Sequence, residues 1–535
     1  MNIKPELPQD LSVTASPTFN SILAQTTTAN LFNTTALTVN AFGAATSVTI
    51  GAATGAITLN GNATLVDTSL FYGLTWNENT DAYARTGMLA GVAVGSSPAN
   101  LLLPIHRNMR RCIVNDSGQV VYYLNPFDST KKENGDASVL TGADGQVMVE
   151  IPAFWVRYSY SSPTHRWDIS DKPLTGFTLH PAFAKNGANV NYRYMGAYES
   201  VLYDVSASIY ANGIYQTAFS CTFANGDSSI TAGSRTAPFK DLAVGDKLTI
   251  SGTVSNNGTF TVASIVSDTK ITTTEALTTE TAANTVIATQ KDWTATTGDK
   301  LASISGKKPI NQGTRANFRA AAKNRGTGWR QMDFYLLSAI QLLYLVEYGS
   351  FYSQSVIGAG ITNVADWAAY NDYNPIVITG NSNTIGNATG NTAGAVTGAA
   401  EVGKYLSYRG IENWWGHIWK WEDGFNINSN VPYVSNTDTQ FADDTLTNYT
   451  ALGVTLGAVD GYQATLAQIS SGFLPLTVGA TATTKITDYY YQAAGWRVAL
   501  FGASAVDGSS AGAFVRSLNG GSGGLNRDVG GRLCF

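Results

Sequence analysis

Tyr408-Arg409-Gly410-Ile411-Glu412-Asn413-Trp414-Trp415-Gly416-His417-Ile418-Trp419-Lys420-Trp421-Glu422-Asp423-Gly424 places four tryptophans within eight residues. Aromatic side chains of this size bury roughly 150–250 Å² each, so such a cluster is costly to leave in water. The reading that follows is a scaffold core built from Trp415, Trp419 and Trp421 around Ile418, with Trp496 joining them from a later segment. An aromatic platform for sugars is the alternative reading of the same residues. Upstream, two segments carry helix signals. Thr314 can cap a helix from Arg315 to Lys323 with Gly326 just beyond it, and Asp333 can cap a second from Phe334 to Tyr348, stopped by Gly349. In the second, apolar residues run round most of the helix, which predicts a largely buried element.

Composition sets the limits within which this core is read. Hydrophobic residues make up 44% of the 535 and aromatics 11%, while charged residues reach only 13% against roughly 25% in an average soluble protein. That balance predicts β-structure with many turns and a neutral exterior, and it does not describe a disordered chain. The formal net charge is −5 with no dense Lys/Arg cluster, which argues against a groove that tracks phosphates. Cys112, Cys221 and Cys534 lie far apart, and with His106, His165, His180 and His417 as the only histidines neither a disulfide framework nor a zinc cluster is expected. The first residues, MNIKPELPQDLSV, lack an apolar signal core, and no stretch reaches the ~20 apolar residues of a membrane span. The expectation is a protein made in a cytoplasm and exported, if at all, as part of something larger, that neither enters a membrane nor binds nucleic acid and needs no cofactor or metal.

The rest of the chain divides by pattern. In residues 1–70 an apolar–Thr–apolar unit recurs at Leu37-Thr38-Val39-Asn40, Val48-Thr49-Ile50-Gly51 and Ile57-Thr58-Leu59-Asn60. Period two predicts strands, each too sparse in apolar groups to stand alone. An intertwined β stalk is expected there, most simply a homotrimer and the attachment to a larger particle. Residues 71–203 are expected to form a β-rich domain, with a hairpin turn at Asn115-Asp116-Ser117-Gly118 and a strand after Asp144-Gly145. Residues 204–292 read as an inserted small barrel or sandwich, and 293–535 as a final α+β domain whose segment 376–402, rich in Gly, Asn and Thr, is a surface loop. The fold class predicted is multidomain and mainly β.

The final domain also resembles a known family. Gly416-His417-Ile418-Trp419-Lys420-Trp421 resembles the G-N-V-W-E-W core motif of formylglycine-generating-enzyme-like C-type lectin folds. Gly495-Trp496-Arg497-Val498-Ala499-Leu500-Phe501-Gly502 resembles their late core strand, and Gly530-Gly531-Arg532-Leu533-Cys534-Phe535 their closing strand. Together these cover about residues 305–535. The closest subgroup is the variable proteins of diversity-generating retroelements, of the major tropism determinant type, and the layout of residues 71–200 resembles large phage structural proteins. The resemblance implies a C-type-lectin-like scaffold on a phage virion that displays a hypervariable surface to a receptor, protein or glycan, on the bacterial cell.

By that resemblance the variable contact positions are Ser504, Val506, Asp507, Ser510, Val515, Ser517, Gly520, Gly524 and Asp528, with Gly502, Gly508, Gly512, Phe514, Leu518, Asn526, Gly530 and Arg532 as scaffold. Residues 502–530 contain no Lys, Gln, Glu, Met or Trp. The family's adenine-directed mutagenesis of AAC-type codons cannot produce those five residues and can produce every type present. The expected function is adhesion without chemistry, as a tail fibre or receptor-binding protein.

Three rivals stand beside it: an enzyme of one of two kinds, a calcium-dependent lectin and a purely structural virion part. Formylglycine-generating enzymes need a reactive cysteine pair, and this domain holds only Cys534. A capsule-degrading tailspike needs paired carboxylates in a cleft, and Glu401, Glu412, Glu422 and Asp423 qualify only by being acidic. A calcium-dependent lectin would carry E-P-N, Q-P-D or W-N-D motifs, which are absent here. A purely structural virion part, such as a capsid decoration, baseplate or tail component, fits the stalk and the insert equally well.

Overall fold

The computed structural model describes residues 70–206, 208–211, 216–235, 238–239, 242, 244–289, 298–364, 376–393 and 404–535. The expected N-terminal stalk lies, but for Leu70, outside the described residues.

The described chain is mainly β and is organised round one buried helix, α2 (Phe334–Tyr348). Asp333 caps it by accepting the Leu336 N–H at 3.0 Å, and Gly349 ends it in the left-handed region at φ 63°. Every residue of α2 except Tyr335 is buried, as the absence of a polar face predicts. Helix α1 (Arg315–Lys323) starts at Thr314, whose hydroxyl accepts the Asn317 N–H while Asn317 bonds back to the Thr314 N–H.

Sheets surround α2. A seven-stranded sheet has the order Arg330–Gln331, Leu533–Cys534, Tyr192–Gly196, Gln146–Pro152, Arg110–Val114, Val120–Asn125 and Asp128–Lys132. A nine-stranded sheet centres on Trp419–Asn428, paired antiparallel with Trp496–Phe501 and parallel with Val529–Gly530. The hairpin at Asn115–Gly118 and the strand after Gly145 form as their turn residues predict.

The expected boundary between residues 71–203 and 293–535 is not a boundary in this fold. Met195 and Arg330 pair with Cys534 on either side, and a single hydrophobic core draws on Leu74, Val149 and Ile151 as well as Leu343, Trp414 and Phe514. Each half alone presents an open sheet edge and an uncovered apolar face, and the two close on each other.

The block at 204–292 contains a closed barrel of six strands, Gln216–Ala224, Ser229–Ala232, Lys270–Thr273, Gly258–Ser267, Lys247–Ser251 and Glu280–Thr289. Its core includes Phe219, Phe223, Leu248, Ile271 and Ile287 and is separate from that of the body. It joins the body through a small sheet in which Val201–Asp204 pairs with both Ile209–Ala211 and Lys300–Ala302.

The segment 376–402 also departs from expectation. Its described part is built into the body, with Ile376, Thr379 and Ser382 buried and Gly390–Ala393 paired with Lys404–Tyr408. The Gly380 and Ser382 N–H groups donate to the Glu412 carboxylate at 2.7 and 2.6 Å, so a polar composition here serves buried hydrogen bonds.

Candidate functional site

The tryptophan cluster is core. Trp414 and Trp415 are fully buried, Trp421 and Trp419 nearly so, and Trp414 stacks on Tyr408 with ring centroids 5.0 Å apart. Trp496 corrects the expectation: it starts its strand partly exposed beside Tyr433, while Val498, Ala499 and Phe501 carry that strand's burial.

Buried charges lock the same strands together. Burial pulls the Glu199 carboxyl up, but His417 and Lys420 beside it outweigh this and hold it at about 2. Lys420 also donates to the Gly416 carbonyl at 2.8 Å. Glu422 pairs with Arg516, and Asp423 accepts from Arg319 at 2.6 Å and from Gln331 at 2.9 Å. Of the four acidic residues considered as glycosidase candidates, Glu412, Glu422 and Asp423 are thus committed to the interior, and Glu401 lies outside the described residues.

From this scaffold the chain emerges twice between Gly502 and Gly530. Gly502 has φ 97°, a conformation that favours glycine, and a Cβ there would sit a tight 3.2 Å from the Trp414 carbonyl. Ser504 follows, buried, with its N–H and hydroxyl both on Asp507 Oδ2 at 2.6 and 2.7 Å. Residues 506–510 then reach the surface, led by Val506 at 43% exposure. The chain dives again through Ala511–Leu518, and Arg516–Leu518 inserts between Trp496–Phe501 and Tyr489–Gln492. Residues 519–526 surface a second time, with Leu525 exposed, before Arg527–Cys534 return to the core.

The nine candidate contact positions divide accordingly. Val506 is exposed, and Asp507, Ser510, Gly520 and Gly524 are half-buried. Ser504, Val515, Ser517 and Asp528 are buried, so these four correct the expectation. Val515 and Ser517 fall on or beside a strand that both sheet neighbours cover, and Ser504 and Asp528 turn inward at the two ends of the run. Among the scaffold positions, Phe514, Leu518 and Arg532 are buried and Asn526 is exposed.

A row of rings that the sequence reading missed borders the first surface turn. Tyr462, Tyr489, Tyr491 and Trp419 follow one another with centroids 5.2, 4.6 and 6.1 Å apart, and the three tyrosines are half-buried. Tyr462 Oη bonds Ser509 Oγ at 3.0 Å, which ties the row to the turn. The signal was present in Tyr489-Tyr490-Tyr491: in a strand, alternate residues share a face, so Tyr490 enters the core and its neighbours do not. At the inner end of the row, burial raises the Asp507 carboxyl, and burial together with the nearby Asp507 charge raises Asp528 to about 6. Asp528 Oδ1 has no hydrogen-bond partner among the described residues. No group of three or more His, Cys, Asp or Glu side chains gathers among the described residues in a way that suits a metal ion.

Chemically, the arrangement offers a contact surface. Rigid rings with hydroxyl tips lie beside the short side chains of the first turn, over a floor that buried ion pairs fix. No family model matches the chain, and no curated protein matches it.

Proposed function

We propose that this protein is a phage virion adhesin that recognises a bacterial surface receptor through the 506–510 and 519–526 turns and the tyrosine row beside the first of them. The observation that carries the reading is the pairing of a half-exposed Tyr462–Tyr489–Tyr491 row with an exposed, glycine-flanked turn on a deeply buried scaffold. Tyrosine brings large contact area with few rotatable bonds and a polar tip, so it loses little entropy on binding. Ser509 and Ser510 add short hydroxyls that cost still less to order. The C-type-lectin-like reading of the scaffold belongs to this proposal, as does diversification by a retroelement at Val506, Asp507, Ser510, Gly520 and Gly524. An N-terminal homotrimer would multiply modest single-site affinity by avidity.

The experiment is binding of the purified full-length chain to host cells, measured beside a Tyr489→Ala/Tyr491→Ala double variant and Val506→Arg. Both variants alter half-buried or exposed side chains, and both are expected to lose at least about tenfold in binding, as removal of aromatic anchors does. Undiminished binding by folded variants would overturn this surface, and absence of binding by the parent chain would leave a structural virion part as the reading.

A further inference from the structure

A cleft of about 480 Å³ opens where the small sheet that carries the barrel meets the Asn115–Gly118 hairpin turn and the 142–146 segment. That volume falls within the roughly 300–1,000 Å³ of small-molecule sites. Its cations are already spoken for. Arg325 Nη1 donates to Asp116 Oδ1 at 2.6 Å and its Nε to the Leu301 carbonyl, while Lys300 Nζ meets Asp116 Oδ2 at 3.2 Å. With Asp144 also on the lining, two carboxylates balance the two cations, and a free anion finds no net positive charge here.

The remaining lining is of a different kind. Tyr203 and Tyr210 stand with ring centroids 4.8 Å apart at 55°, both partly exposed. Gly142, at φ 96°, lies so close to Tyr210 that a Cβ would meet the ring at 2.5 Å, and the Tyr210 hydroxyl donates to the Gly142 carbonyl. Asp144 accepts the Tyr122 hydroxyl through Oδ2. Gln146 lies fully buried behind this wall and fixes it through Oε1, which accepts the Ser303 N–H at 2.9 Å.

We propose that this cleft binds the ring of a neutral sugar, such as one residue of a surface glycan. The C–H face of a pyranose packs on the two tyrosine rings, and a hydroxyl donates to Asp144 Oδ1. Neutral ligand matches a lining whose two cations are balanced by Asp116 and Asp144. The site uses none of the residues of the tyrosine row or its turns, so it stands or falls apart from the adhesion surface.

Saturation-transfer NMR on the full-length chain tests it, with D-glucose, D-galactose and N-acetyl-D-glucosamine as probes at millimolar concentration and glycine and inorganic phosphate as charged comparators. Transfer to the ring protons of at least one sugar is expected, weakened about tenfold by Tyr210→Ala. Asp144→Asn, which keeps the side-chain shape, is expected to weaken it too, and it serves if the alanine variant fails to fold. Val506→Arg should leave the transfer unchanged, which separates this site from the adhesion surface. The proposal is overturned by no transfer to any of the three sugars, by transfer that survives both cleft variants, or by displacement of the sugar with phosphate or glycine.

Discussion

Asp528 shows most directly what a single residue in this site can and cannot do. The sequence places it among small polar residues, which reads as surface, yet it is 7% exposed and its Oδ1 is unpartnered among the described residues. Local composition cannot reveal this, because the segment is held by a strand more than a hundred residues away, whose Trp419 N–H donates to the Asp528 carbonyl at 2.7 Å. The linkage has a definite sign. Its folded value is raised from 3.8 to about 6, so the folded state holds the proton more tightly, and the group costs stability as pH rises from about 4 through 6. Asp528→Asn is therefore expected to stabilise the protein at pH 7 by roughly 1–3 kcal/mol and to leave it nearly unchanged at pH 4. Urea unfolding at the two pH values checks this. Equal effects at both would show that the carboxyl is not perturbed as described.

At the scale of elements, what was legible is what a local signal encodes. Thr314 and Asp333 announce α1 and α2 because a cap is a side chain bonding its own next turn, and Gly349 ends α2 because only glycine takes its φ cheaply. The three-residue strand Arg516–Leu518 was not legible, since its partners Leu500–Phe501 and Tyr490–Gln492 define it and no period shows in so short a run. Asp333 does more than cap. Its Oδ1 accepts the Leu336 N–H while Oδ2 meets Arg193 at 2.5 Å and Arg330 at 3.5 Å, all three side chains being buried. Removing a cap alone costs about 1 kcal/mol, whereas stripping the partner from a buried charge costs about 3–5. Asp333→Ala is thus expected to destabilise by at least ~3 kcal/mol, and Asp333→Asn, which keeps the cap, by less. Chemical denaturation of both variants decides it, and a loss of only ~1 kcal/mol for the alanine variant would reduce Asp333 to a cap.

For the whole molecule, the barrel and the body differ in how the chain joins them, and this explains one expectation met and one overturned. The barrel at 216–289 closes its own sheet and fills its own core, so its turn-and-strand pattern was enough to mark it as an insert. The body mixes residues 72–198 with 332–534 in one core, and the pairing of Met195 with Cys534 has no counterpart in local sequence. The strands that carry the barrel, Ile209–Ala211 and Lys300–Ala302, flank the same strand and so lie about 10 Å apart. A flexible linker of about eight Gly/Ser residues can span that gap and the offset along the strands. Replacing residues 212–297 with such a linker should leave the body folded, with a single cooperative transition whose midpoint moves by only a few degrees. Some loss is expected because Leu242, from the inserted block, packs on Ile376 and Ile418 of the body. Because the proposed contact surface lies on elements from 462 onward, the shortened chain should also keep any cell binding of the full-length chain. Calorimetry and the cell-binding assay on the same preparation test both halves of the claim. A broad or absent transition would mean that the barrel is part of the body's folding unit, and loss of binding by a well-folded shortened chain would place the receptor contact on the barrel instead.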